Sequence, residues 1–158
     1  MFREMRRFKQ ALTREECVQV LKSQRRGVLS VLGDDGYPYG VPMNFWYDDA
    51  TGHICFHGAK VGHKQDAIAN CDKVSFTVYD EGYLKPGDWA LNVSSVILFG
   101  RIRVVEDHDR AMEIGRQLCL RFTDDQAYIE AEIQHAGPRV RCLELVPEHM
   151  TGKLVNEK

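Results

Sequence analysis

Apolar side chains alternate with polar ones along much of this chain. In Lys73 to Tyr79 (KVSFTVY), Val74, Phe76 and Val78 fall on one face, the pattern of a half-buried strand. Val28 to Leu32 is a second β-rich run, and Gly33-Asp34-Asp35-Gly36 after it is a hairpin turn signal. Tyr37 to Tyr47 reads as the returning strand. Pro38 and Pro42 within it imply an edge, a bulge or a ligand-facing break in pairing. Asp48 to Gly52 is another turn, and His53 to His57 a third strand. Leu91 to Val105 is the longest β-rich run, with Gly100 marking a bulge or bend, and Arg139 to Val146 is the last.

Helical spacing appears in four places. Thr13 and Glu16 form a capping box, opening a helix that carries Cys17, Val18 and Leu21 and ends near Gln24. A short helical pattern ends near Asn70. Asp107 caps a helix bearing Ala111, Ile114, Leu118 and Phe122. Thr123 to Gln126 reads as a second capping box, opening a helix with Tyr128, Ile129 and Ile133 that Ala136-Gly137-Pro138 stops. Asp80 to Asp88 is a polar loop, and PEHMTGKLVNEK reads as a short closing tail. Six strands joined mostly by tight turns, with helices set apart, predict a mainly β chain. The expected architecture is a six-stranded antiparallel barrel with flanking α-helices, one domain over residues 1–158.

Composition narrows the chemistry. At 158 residues, 44% hydrophobic and 28% charged, the chain suits one globular domain. A net charge of −2 provides no field for nucleic acid and no polybasic membrane anchor. No apolar run approaches the ~20 residues that span a bilayer. MFREMRRFKQ is basic without a following apolar core, which argues against a signal peptide. Five scattered cysteines without a CxxC fit reduced thiols and a cytoplasmic setting.

The most suggestive stretch is Ile54 to Asn70 (ICFHGAKVGHKQDAIAN). It combines a strand end, a loop with Gly58 and Gly62, the basic His63 and Lys64, and a helix start. These are the parts of a small-anion site, and equally of a plain strand–helix connection. Neither GxxxxGK[ST] nor GxGxxG is present. His53, His57 and His63 resemble a metal cluster, but a strand would hold His53 and His57 ~13 Å apart, too far to share an ion. His57 stays a candidate ligand or proton donor. No GxSxG elbow accompanies Ser94 and Ser95. The paired aspartates Asp34-Asp35, Asp48-Asp49 and Asp124-Asp125 fall in turns and caps, which explains them. In Val41-Pro42-Met43-Asn44-Phe45-Trp46, a polar Asn beside Pro in an apolar strand suits either an edge or a pocket for a flat ligand.

Three segments in order, G-Y-P-x-x-x-P-x-N-F, F-H-G-A-x-x-G-x-K and S-V-x-x-x-G-R, resemble the flavin-binding split β-barrel family related to pyridoxamine 5′-phosphate oxidase. The closest branch is that of the nitroimidazole-resistance (Nim-type) proteins. The resemblance runs along nearly the whole chain and implies a homodimer with FMN at the subunit interface. It places Pro42, Met43 and Asn44 against the isoalloxazine ring, His57, Gly58 and Ala59 along the flavin, and Gly62 and Lys64 at its phosphate. Ser95 and Val96 would contribute from the long strand.

Two departures qualify the likeness. Val93 stands where the branch often carries an aromatic, and the ending MTGKLVNEK lacks the Arg- and His-bearing substrate segment of the true oxidases. The resemblance therefore implies an FMN-dependent oxidoreductase for small electron-poor molecules such as nitroaromatics, with His57 as proton donor or flavin-side partner, rather than vitamin B6 oxidation. A non-catalytic flavin or haem carrier or sensor, and an enzyme using the deazaflavin F420, are the alternatives on the same barrel.

Overall fold

A computed structural model describes residues 1–157. Seven strands form one antiparallel sheet: β1 (Arg26–Leu32), β2 (Pro38–Asn44), β3 (Trp46–Asp48), β4 (His53–Ala59), β5 (Lys73–Tyr79), β6 (Asn92–Val104) and β7 (Val140–Asn156). Their order across the sheet is β2-β1-β5-β6-β7-β4-β3. Strands β2 and β3 are separated in sequence by Phe45 alone, yet they occupy opposite edges. Two residues span only ~7 Å, so the sheet must curl until its edges meet. The result is a split barrel, as expected, with seven strands in place of six. The predicted single strand from Tyr37 to Tyr47 is two strands, because the chain changes edge at Phe45.

The strand alternation supplies the barrel core. Leu29, Met43, Phe45, Ile54, Phe56, Val74, Phe76, Val78, Val96 and Leu98 belong to one buried cluster. Phe76 meets Phe45 and Phe56 edge-on, with ring centroids 5.0 Å apart in both pairs, the arrangement aromatic quadrupoles favour. Helix α1 (Arg14–Ser23) closes one end of the barrel with Cys17, Val20 and Leu21. Its capping box is formed: Glu16 N–H donates to Thr13 Oγ1 at 3.2 Å and Thr13 N–H to Glu16 Oε2 at 2.7 Å. Gly152 is required opposite this helix, because Cys17 Sγ occupies the space its Cβ would fill.

Helix α2 (His63–Asn70) follows β4. Helices α3 (His108–Leu120) and α4 (Gln126–Ala136) are inserted between β6 and β7. Ile114 and Leu118 of α3 pack on Cys55 and Cys142, which face outward from β4 and β7. The predicted second capping box is corrected. Asp125, not Thr123, caps α4, its side chain accepting from Tyr128 N–H at 3.0 Å. Thr123 Oγ1 accepts from Asp125 N–H instead, shaping the turn before the cap. The predicted short tail is also corrected: residues 147–156 are the second half of β7, paired along β6. The bulge expected at Gly100 is present between Phe99 and Gly100, where a Cβ would strike the Val146 carbonyl oxygen.

Candidate functional site

The barrel is split along a seam between β2 and β4. Only β1 pairs with β2, so the other edge of β2 is free. Strand β3 covers β4 only from His53 to Cys55, so one edge of residues 56–59 is free as well. Free edges present unpaired backbone N–H and C=O groups. Helix α2 enters the seam. Its N-cap Gly62, at φ +121°, adopts a backbone conformation suited to glycine and supplies no side-chain cap. The first-turn N–H groups of α2 therefore lack the usual side-chain acceptor.

Lys64 projects from that first turn. Its Nζ lies 3.3 Å from Met43 Sδ on β2. It also sits where a side chain at Gly58 would go, 2.7 Å from an ideal Cβ there. Gly58 is thus glycine for a local reason: any larger residue would displace the ammonium. Among the described residues no carboxylate pairs with Lys64. Its ammonium is half-buried, and the loss of water lowers its pKa below the ordinary lysine value. A half-buried cation without a counter-ion is the electrostatic signature of an anion site.

The remaining predicted site residues divide by face. Along β4, Ile54 and Phe56 face the barrel core while Cys55 faces α3, so period-2 alternation puts Gly58 on the barrel side and His57 on the outer side. Crowding by protein and then the charge of Lys64 lower the pKa of His57, which favours the neutral ring. On β2, Met43 points inward, whereas Pro42 and Asn44 face outward. Asn44 Oδ1 accepts from Arg26 Nε at 3.1 Å, leaving the amide NH2 as its donor. Ala59 ends β4, and its carbonyl accepts from Gln65 Nε2 at 2.8 Å, tying α2 to the strand.

Ser95 and Val96 are not brought to this seam. Val96 is fully buried in the core, so only its backbone is available. Ser95 faces outward on β6, two strand positions from β4 and three from β2, or about 10 and 14 Å at normal strand spacing. His53 belongs to another cluster: its Nδ1 lies 3.1 Å from Glu144 Oε1. His63 is likewise engaged, stacking on Tyr39 at 4.2 Å and accepting from Asp34 N–H at 3.4 Å. Sequence reading missed a cavity of about 730 Å³ beside His57, bounded by α3, α4 and the start of β7. Its one sequence signal is a glycine, Gly115, in the interior of α3.

A seven-stranded split barrel with a cationic seam beside a helix start defines the class. Residues 13–154 match the model of the pyridoxamine 5′-phosphate oxidase family, and the chain belongs to that family. No curated protein sequence matches it. Among solved structures it is similar to a protein provisionally described as a 5-nitroimidazole antibiotic resistance protein from Bacteroides thetaiotaomicron. That match has a TM-score of 0.77 at 18% identity and covers 92% of this chain and 87% of that one. A conserved hypothetical protein from Mycobacterium tuberculosis superposes with a TM-score of 0.81 at 18% identity, covering 95% and 90%. A FAD-binding protein from Mesorhizobium loti matches with a TM-score of 0.64 at 23% identity, covering 92% and 96%. At these identities the likeness establishes the fold.

Proposed function

We propose that this protein binds FMN in the β2–β4 seam and acts as an oxidoreductase on small electron-poor compounds such as nitroaromatics. The observation that carries the reading is Lys64: a half-buried ammonium with no carboxylate partner among the described residues, seated over Gly58 at an uncapped helix start. A phosphate monoester supplies the missing charge, and the α2 first-turn N–H groups add donors. Met43, Pro42 and Asn44 would hold one side of the ring system, with Gly58, Ala59 and His57 along β4. Bound there, FMN would supply the redox chemistry. His57, kept neutral by its surroundings, can donate one ring N–H or pass a proton at the seam's outer lip. The family match and the FAD-binding neighbour support a flavin, and the nitroimidazole-resistance neighbour supports the substrate class.

A homodimer is part of this reading. The outer face of β1, β5 and β6 carries the exposed Leu32, Tyr79 and Phe99; among the described residues Phe2 stacks on Phe99 there and no α-helix covers the face. Ser95 lies on that face. A second copy seated there would bring its Ser95 towards a seam that a single chain leaves about 10 Å away.

Absorbance of the purified protein and titration with FMN test the proposal. Lys64→Ala should weaken FMN roughly 10- to 100-fold, the scale of one charge-assisted hydrogen bond, and leave riboflavin, which has no phosphate, unaffected. A colourless protein that takes up no added FMN ends the flavin reading. Equal FMN affinity in Lys64→Ala removes the phosphate role alone. Mass spectrometry of released cofactor distinguishes FMN from FAD or a deazaflavin, and reduction of a 5-nitroimidazole under anaerobic conditions tests the substrate class.

A further inference from the structure

Strand β7 carries a second cation without a counter-ion, one strand in from the seam. Arg141 is paired directly with Gly58 in the β4–β7 register. Leu143 and Leu145 of β7 belong to the barrel core, whereas Cys142, next to Arg141, belongs to the cluster beneath α3. Period-2 alternation therefore puts Arg141 on the barrel side, the side on which the Lys64 ammonium lies against Gly58. Arg141 is half-buried, and no carboxylate among the described residues pairs with it. The buried carboxylate of its own strand, Glu144, is held by Arg103 and Arg110.

Gly58 lets the two cations share one space. Lys64 Nζ lies 2.7 Å from where a Cβ at Gly58 would stand. Directly opposed residues of an antiparallel pair have Cβ positions ~5 Å apart. An extended arginine side chain is longer than that, so the Arg141 fork reaches the patch that the Lys64 ammonium occupies. With no side chain at Gly58, β4 raises no barrier between them.

Charge says what the patch takes. Two half-buried cations on neighbouring strands lose hydration and repel each other, and an anion held by both removes each cost. Two positive charges match a dianion. A phosphate monoester carries a charge of about −1.5 to −2 near neutral pH and offers three terminal oxygens. That is enough for a point contact from an ammonium and a two-pronged grip from a guanidinium. A phosphate inside a diphosphate bridge is a poorer match, because it carries a single charge and has fewer free oxygens.

We infer that Arg141 is a second phosphate-binding residue of the seam, gripping the same phosphate that Lys64 neutralises, and that the pair selects a terminal phosphate monoester, as in FMN, over the internal diphosphate of FAD. The choice between flavins rests on the function proposed above, whereas the grip on phosphate does not.

Titrations of the full-length protein with FMN, FAD, riboflavin and inorganic phosphate test the assignment. The unaltered protein should bind FMN at least tenfold more tightly than FAD. Arg141→Gln should weaken FMN at least tenfold, leave riboflavin unchanged and bring FMN and FAD towards equal affinity. Arg141→Lys, which keeps the charge and loses the fork, should recover part of the FMN affinity. Equal FMN affinity in Arg141→Gln, or a loss of riboflavin binding as large as that of FMN, overturns the role of Arg141 and leaves the flavin reading standing. An unaltered protein that prefers FAD overturns the selectivity. If the unaltered protein binds no flavin, the flavin reading falls, and inorganic phosphate decides on Arg141. Phosphate binding that weakens at least tenfold in Arg141→Gln upholds the grip, and phosphate binding that is absent or unchanged overturns it.

Discussion

Two charged clusters lie within one sheet of each other and are built on opposite plans. Beneath α3, Arg110 reaches Asp48 Oδ2 at 2.6 Å, Glu144 Oε1 at 2.8 Å and Glu113 Oε2 at 2.9 Å. Arg103 bonds the other oxygen of Glu144 at 2.7 Å, and His53 adds a contact at 3.1 Å. Every charge has its opposite. At the seam Lys64 has none among the described residues, and neither has Arg141, which pairs with Gly58 from β7. Burying a charge is tolerable only when it is paired or awaits a partner. The first cluster is finished within the chain and ties β3, β4 and β7 to α3. The second, on the function proposed above, is finished by a bound anion. That contrast, more than any motif, separates scaffold from site.

The comparison predicts its largest break at Arg110. Arg110→Ala would leave Asp48 and Glu144 buried without their main counter-ion. The expected loss is about 3–5 kcal/mol, read as a lower denaturation midpoint with FMN affinity per folded molecule retained. Acid should reproduce part of this. Burial pushes the Glu144 carboxyl up, but hydrogen bonds from Arg103, Arg110 and His53 outweigh it and hold its pKa at about 2. Asp48 is lowered too, burial being outweighed by Arg110, Thr51 and the Ala50 N–H. A folded pKa below the unfolded one gives stability that is present above the unfolded value and lost as pH falls through the folded one. Stability should therefore hold near neutrality and decline from about pH 4.5 towards pH 2, by on the order of 3 kcal/mol for Glu144. Glu144→Gln should flatten that decline in a pH series of urea titrations, and an unchanged profile would remove Glu144 as its source.

The outer sheet face offers the next test, because the proposed homodimer seats a second copy there. Tyr79→Glu places a charge on the uncovered face, where like charges from two copies would meet. Sedimentation should show the homodimer weakened by roughly tenfold or more, as desolvating one unpaired charge at an interface costs a few kcal/mol. The monomer itself should lose little, since Tyr79 is 64% exposed. A species that sediments as a monomer in both forms would end the dimer reading.

How far these features were legible in the sequence follows from which interactions are local. Strand alternation and the first capping box are local, and they appear where expected. The seam residues Gly58, Gly62 and Lys64 were legible because a glycine–cation–helix order is a local pattern. The strand break at Phe45 was invisible for a physical reason. Met43, Phe45 and Tyr47 all stay buried through it, so the inward period is unbroken while the hydrogen-bonding partner changes. The tail was misread because residues 147–156 gain order from β6, forty or more positions away, and not from their own composition. Thr123 and Asp125 each offered a cap, and two local motifs in competition cannot be ranked by spacing alone. The division of His57 and Lys64 between two faces of β4 follows from strand period. The cavity does not, since it arises from α3 and α4 packing across distant strands.

The smallest expected effect on stability is the most discriminating. Lys64→Met keeps most of the apolar stem of the side chain but removes the ammonium, and with it the Nζ contact to Met43 Sδ. In the folded protein burial lowers the Lys64 pKa. A lowered lysine pKa means that folding penalises the charged form, a penalty complete at low pH and relieved as pH rises through the folded value towards the unfolded one. Removing the charge should therefore leave the flavin-free protein as stable as before, or more stable by up to about 1 kcal/mol, the opposite sign from Arg110→Ala. FMN should then raise the melting temperature of the unaltered protein more than that of Lys64→Met, because only the former has a charge for the phosphate to neutralise. A loss of several kcal/mol in the flavin-free variant would show that Lys64 is finished within the chain after all, and the distinction between the two clusters would collapse.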